Sequence, residues 1–237
     1  MTRARPEFIK RLTEPGHILT LTRAERVGMR LHGYRTSSAT WRVRIALALK
    51  GVAAGSVWHD TPGGGPRGAG TLRLNRQGLL PAIELDDGTV LSQSVAILEW
   101  LEEIWPSPPL LPPDPQLRCK VRSFALAIVA DIQPLHTQRV LTHMLSGGLS
   151  EGDVQGWARQ CIAQGLDACE TLLDSSPGPF CFGDSPNLAD ICLVPQLYAA
   201  RRFGVHLPYP RLLGAEAACM TLPSFIETVP EKPNAML

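Results

Sequence analysis

Ser37-Ser38-Ala39-Thr40-Trp41-Arg42-Val43-Arg44-Ile45-Ala46-Leu47-Ala48-Leu49-Lys50-Gly51 begins with hydroxyl side chains and ends on a basic residue followed by glycine. Ser ahead of an apolar run is an N-cap signature and Lys-Gly a helix stop, so the stretch predicts one helix over about 38–50. The start of that helix carries free N–H donors and the positive end of its dipole. A short strand at about 30–34 leads into it through Arg35 and Thr36, and a second strand follows at about 55–59. In an arbitrary helix such a serine only caps. A thiolate placed beside it would be stabilised by the hydroxyl and the dipole. This turn has no cysteine, so any thiolate must arrive with a ligand.

Downstream, Thr61 to Gly70 is a Gly/Pro-rich loop, a short helix reaches about Leu74, and Pro81-Ala-Ile-Glu-Leu85 reads as a strand. Asp87-Gly88 is a hairpin signal before Val90-Leu91. Ser92 to Trp105 then predicts an amphipathic helix with Val95, Leu98 and Leu101 on its apolar face. The order strand, helix, strand, helix, strand, strand, helix is that of an α/β thioredoxin-like unit. Pro106, Pro108, Pro109, Pro112, Pro113 and Pro115 form a stiff connector, after which the apolar residues keep helical spacing to the end. The expected division is an N-terminal extension over 1–29, a thioredoxin-like α/β domain over 30–112, and an all-α C-terminal domain over 113–237.

Composition narrows the function. The 237 residues are 44% hydrophobic and 19% charged, enough apolar surface for a packed core. Apolar runs such as Ile45 to Leu49 are too short to span a bilayer, so a soluble, cytoplasmic protein is expected, without a membrane partner. Net charge is only +1, and residues 1–30 alone hold seven basic and three acidic side chains. The basic excess is therefore confined to the head, which argues against a nucleic-acid partner. The six cysteines sit mostly in apolar, helical-looking segments without a CxxC spacing, and read as buried free thiols and not metal ligands.

Two further motifs follow the first helix. In Gln77-Gly78-Leu79-Leu80-Pro81, the proline either simply opens a strand or forms a cis bond that exposes the Leu80 backbone to an extended peptide. Ser92-Gln93-Ser94 caps the next helix or receives the charged groups of a ligand.

With these residues in place, the chain resembles the zeta-class glutathione transferases, the group that includes maleylacetoacetate and maleylpyruvate isomerases. The stretch Ser37 to Gly51 matches the family's hallmark, and Leu80-Pro81, Gln93-Ser94, Ile132-Gln133-Pro134, Leu188-Ala189-Asp190 and Leu193-Val194-Pro195-Gln196 extend the likeness over about residues 30–230. The resemblance implies glutathione as cofactor, with Ser37 bonded to its sulfur and Ser38 beside it. Leu80, Pro81, Gln93 and Ser94 would hold its backbone and γ-glutamyl end, Gln133 would contact the ligand, and Arg202 would hold a substrate carboxylate. The bland alternatives are that Gln133 satisfies backbone near Pro134 and that Arg202, beside Arg201, lies on a solvated face. Asn187-Leu-Ala-Asp190 resembles the family's buried capping box, with Asn in the capping position. Ala39 stands where many members have cysteine, Arg76 replaces a common proline, and Leu135-His136-Thr137 departs from the usual polar pair.

The implied reaction is glutathione-dependent cis-trans isomerisation of a maleyl dicarbonyl acid, maleylacetoacetate or maleylpyruvate, in the breakdown of aromatic compounds such as tyrosine or gentisate. Glutathione would be regenerated and the metal requirement nil. A conjugating transferase or dehalogenase on the same scaffold would consume glutathione, and a non-catalytic binding protein would bind it without turnover. The family is typically homodimeric.

Overall fold

The sheet is assembled on β1 (Met29–Gly33), which pairs in parallel with β2 (Gly55–Trp58) and antiparallel with β3 (Ala82–Leu85). β3 pairs in turn with β4 (Val90–Ser92), giving the order β2-β1-β3-β4. The computed structural model describes residues 28–59, 69–173 and 176–230. The head up to residue 27, and the part of the Gly/Pro-rich loop at 60–68, lie outside the described residues. Met29 corrects the expected boundary of the N-terminal extension. It is the first residue of β1, paired with Leu85 and buried with Leu31 on the face that meets the core.

α1 (Ser38–Lys50) has the predicted limits, since Ser37 caps its start and Gly51, at φ 64°, closes its end in the left-handed conformation glycine tolerates. It carries no single apolar stripe: residues 40–43, 45–47 and 50 are all buried. It is held between the sheet unit and the helical half of the chain. Trp41 donates from Nε1 to Thr228 Oγ1 at 3.0 Å and meets the Tyr198 ring edge-on. Lys50, at the helix end, is buried too, with Nζ 2.5 Å from Glu102 and 2.6 Å from the Pro108 carbonyl. A buried ammonium needs both partners, because its desolvation is otherwise uncompensated.

α2 (Ala69–Leu74) is short, and α3 (Ser94–Ile104) starts later than expected because Ser92 stays in β4 and Gln93 precedes the first turn. On α3 the core contacts fall to Ile97, Leu98 and Leu101, while Val95 is only half-buried. The rest is helical. α4 (Pro115–Leu126) runs into a π-helical turn (Ala127–Ile132) and a 3-10 turn (Gln133–His136), followed by α5 (Gln138–Ser146) and α6 (Glu151–Leu173). α7 (Leu188–Arg202), α8 (Pro210–Cys219) and α9 (Pro223–Ile226) complete it. Gly165 of α6 permits the π-turn to lie against it, since a Cβ there would sit 2.2 Å from Ile132. One hydrophobic core runs through both halves, from Leu31 and Ile83 of the sheet to Leu193 and Leu197 of α7. No helix among the described residues is long and apolar enough to cross a membrane. The cysteines are free; Cys119 is exposed and Cys161 half-buried, the other four being buried.

Two buried polar groups fix the helical half. The Asn187 side chain accepts from Ala189 N at 3.0 Å, and Asp190 accepts from Asn187 N at 2.9 Å and Cys181 N at 2.8 Å, a reciprocal cap at the start of α7. Burial raises the Asp190 pKa, and those backbone N–H groups pull it back. His136, after the π-turn, is buried with Nε2 3.2 Å from the Gln196 amide and its ring against Phe203. Burial holds its pKa below the ordinary 6.5, and the charge of Arg42 acts in the same direction.

Replacing Asp190 with Ala leaves two buried backbone donors without acceptors, each worth about 1–3 kcal/mol, so urea denaturation should show a loss of about 2–6 kcal/mol. His136 gives a pH signature. Above about pH 6.5 it is neutral in folded and unfolded chains alike. Below that, the unfolded chain binds a proton the folded chain resists, and stability falls by up to about 1.4 kcal/mol per pH unit. Thermal melts should therefore lose more stability from pH 7 to 5.5 in the wild type than in His136→Gln; equal slopes would rule out a contribution from His136.

Candidate active site

The start of α1 is pinned to the end of β1. Thr40 Oγ1 accepts from Tyr34 N at 3.3 Å, and Gly33 makes room for the Thr40 side chain, which a Cβ would meet at 2.3 Å. Ser37 sits in extended backbone at φ −78°, ψ 122°, with its N–H bonded to the Tyr34 carbonyl. Its Oγ accepts from Thr40 N at 3.3 Å, as a cap should. That contact leaves the hydroxyl proton uncommitted among the described residues, at the positive end of a helix of 13 residues. A half-buried hydroxyl donor beside a helix N-terminus favours an anion, and its donor chemistry fits a thiolate. Ser38 is turned the other way and donates to the Pro195 carbonyl of α7 at 3.2 Å.

Leu80, Pro81 and Gln93 lie at the end of the sheet where β1 finishes, since Ala82 is paired with both His32 and Ser92. The Leu80–Pro81 bond is cis. Leading into it, Asn75 braces the turn by accepting from Gln77 N at 3.0 Å and donating to the Leu79 carbonyl at 2.9 Å. Gln93 is the only non-glycine with positive φ among the described residues, at φ 70°, ψ 114°. A conformation of this kind costs about 1–3 kcal/mol and tends to mark functional sites. The Gln93 side chain is exposed and donates to Gln77 Oε1 at 2.9 Å. Ser94, the first residue of α3, is buried and accepts from Arg42 Nη1 at 3.0 Å. Gln133, on the bend after the π-turn, accepts from Arg42 Nη2 through Oε1. Ser94 and Gln133 are thus brought together by one guanidinium.

Arg202 is exposed at the end of α7 and has no hydrogen-bonding partner among the described residues. Its neighbour Arg201 is engaged by Glu216 at 2.5 and 2.6 Å, so the two arginines differ in availability. Arg202 lies seven residues beyond Pro195, about 10 Å along the helix axis, and no contact ties it to Ser37. Arg35, on the loop before α1, lies over the Trp58 ring at 5.1 Å, and Arg44 of α1 lies 5.6 Å from the same ring. Sequence reasoning missed Arg42 and Asn75. For Arg42 the available signal was an arginine within an apolar helix that contains no acidic residue.

The chain matches the families described as Glutathione S-transferase, N-terminal domain, over residues 36–104 and Glutathione S-transferase, C-terminal domain, over residues 126–214. It is 43% identical to a maleylacetoacetate isomerase of Pseudomonas aeruginosa, over 85% of this chain and 96% of that protein. It is 41% identical to a maleylpyruvate isomerase of a Ralstonia species, over 85% and 97%. A solved maleylpyruvate isomerase described as a bacterial zeta-class glutathione S-transferase superposes with a TM-score of 0.82 at 39% identity, covering 87% of this chain and 100% of that one. The maleylacetoacetate isomerase of Anaeromyxobacter dehalogenans, solved with glutathione in its active site, gives a TM-score of 0.79 at 42% identity, over 88% and 98%. With glutathione-transferase sequence matched on both halves, and isomerase relatives about 40% identical over most of its length, the chain belongs to the zeta class of the glutathione S-transferase family.

Proposed function

We propose that this protein is a glutathione-dependent cis-trans isomerase acting on a maleyl dicarbonyl acid, maleylacetoacetate or maleylpyruvate, in the breakdown of aromatic compounds. The observation that carries the reading is the uncommitted Ser37 hydroxyl at the N-terminus of α1, in a relative of isomerases about 40% identical to it. The chemistry that glutathione supplies when bound is a nucleophilic thiolate for reversible addition to the activated double bond, without net consumption.

The protein's own residues bind and orient. Ser37 donates to the sulfur and, with the helix dipole, favours its ionised form at neutral pH. Leu80 and Pro81 present backbone to an extended peptide, and Gln93 and Ser94 receive the γ-glutamyl end. Gln133, bonded to Arg42 of α1 through Oε1, would contact the ligand, and Arg202, whose guanidinium is not engaged by a carboxylate among the described residues, suits a substrate carboxylate. The sheet unit up to about residue 112 would hold glutathione, and the helical half the substrate. We also propose a homodimer: the exposed Leu126 lines a cleft with Val95, Ala125 and Leu188, bordered by the Glu99–Arg122 ion pair.

The decisive assay supplies both maleyl substrates with glutathione and counts glutathione per product. Catalytic glutathione supports isomerisation, stoichiometric loss indicates a conjugating transferase, and no turnover with intact glutathione binding would reject the enzyme reading. Ser37→Ala should lower kcat/KM about 10²–10³-fold, the cost of losing one donor to a developing or bound anion. It should also raise the pH at which bound thiol ionises, seen as a shift in thiolate absorbance.

A further inference from the structure

Arg42 is entirely buried, and no carboxylate pairs with it among the described residues. Its two Nη groups donate to Ser94 Oγ and Gln133 Oε1, while Nε has no partner. Arg42 interacts with the Cys192 thiol, which burial pushes up to about 11, so that thiol offers no counter-charge at neutral pH. His136, the other titratable group facing Arg42, is held neutral by burial. A guanidinium removed from water without an anion is costly unless something compensates it.

The two acceptors it selects are ambident. A serine hydroxyl both donates and accepts, and a glutamine amide has an accepting end and a donating end. Because Arg42 takes the Ser94 oxygen as acceptor, the Ser94 proton is directed away from it. Because it takes Gln133 Oε1, the Gln133 NH2 is left free of the guanidinium as a donor. One buried cation therefore turns both side chains into donors and leaves its own positive charge behind them. Ser94 adds to this the free N–H groups at the start of α3.

We propose that Arg42 is a positioning residue that makes Ser94 and Gln133 donors to carboxylate, so that the site selects glutathione by its γ-glutamyl α-carboxylate. The inference rests on the glutathione reading above and adds to it the origin of the selectivity. Arg42 touches neither ligand nor substrate; it acts through the two side chains it orients.

The test compares binding of glutathione with binding of γ-aminobutyryl-cysteinyl-glycine, the same tripeptide without the α-carboxylate, by titration calorimetry on the full chain. The wild type should prefer glutathione at least tenfold. In Arg42→Met the preference should fall below threefold, and Arg42→Lys, which keeps the charge but loses the fork, should lie between. Thermal melts confirm that each variant is folded; if Arg42→Met does not fold, the Lys variant alone carries the comparison. A merely structural role would weaken both tripeptides alike and leave their ratio unchanged, which would overturn the proposal. A wild type that binds neither tripeptide overturns the glutathione reading itself, and this inference with it.

Discussion

The constraint on which the rest of the molecule depends is the burial of α1 on nearly every side. Most helices pack with one face and leave the other in water. Here the sheet unit lies on one side, α7 and α9 on the other, and polar groups along the helix have to be satisfied internally. All but Arg42 Nε are: Ser38 is met by Pro195, Trp41 by Thr228, the two Arg42 Nη groups by Ser94 and Gln133, and Lys50 by Glu102 and Pro108. Each bond contributes modestly, but removing a partner would strand a buried polar group. The helix is held at several points along its length, so its first turn, with Ser37, has little freedom to move. A site built on this turn starts out ordered.

The same economy explains where strain is tolerated. Gln93 adopts an unfavourable backbone at the junction of β4 and α3, and its cost is carried by well-paired neighbours. On one side β4 is in register with β3; on the other Ile97 N closes the first turn onto the Gln93 carbonyl. What the unusual conformation gains is presentation. The Gln93 side chain reaches Gln77 across the loop while the next residue, Ser94, turns inward to Arg42. Two consecutive residues thus serve opposite sides of the same loop.

Much of this was legible from residue types. α1 was readable to the residue, because Ser37 and Gly51 are strong caps at either end. Asp87-Gly88 marked the hairpin, and Asn187 with Asp190 marked the buried cap of α7. What could not be read was which side of α1 faces what, since a helix buried all round has no amphipathic period to align. Hence Lys50 looked like an ordinary C-terminal charge and Arg42 like one letter of a motif. The π-turn at Ala127–Ile132 was equally silent: its sequence is apolar and helix-compatible, and it depends on the glycine at 165, distant in the chain. The candidate site could be named as a set of residues, but the guanidinium linking Ser94 to Gln133 was visible only in three dimensions.

That a ligand must supply the reactive sulfur follows from the thiols the protein keeps. Ala39 occupies the turn where a cysteine would share the field of the α1 dipole. Cys169 and Cys192 are driven by burial to about 12 and 11, and burial with the nearby Asp190 carboxylate raises Cys181 and Cys219 further. Cys161, half-buried, shifts the same way. A thiolate is the nucleophile, and groups held in their protonated form at neutral pH cannot serve. Cys119 is exposed, but it lies on α4, which contributes no residue to the candidate site. The chain therefore separates the two requirements of thiol chemistry: Ser37 offers a hydroxyl at the positive end of α1, while the buried sulfurs are kept protonated.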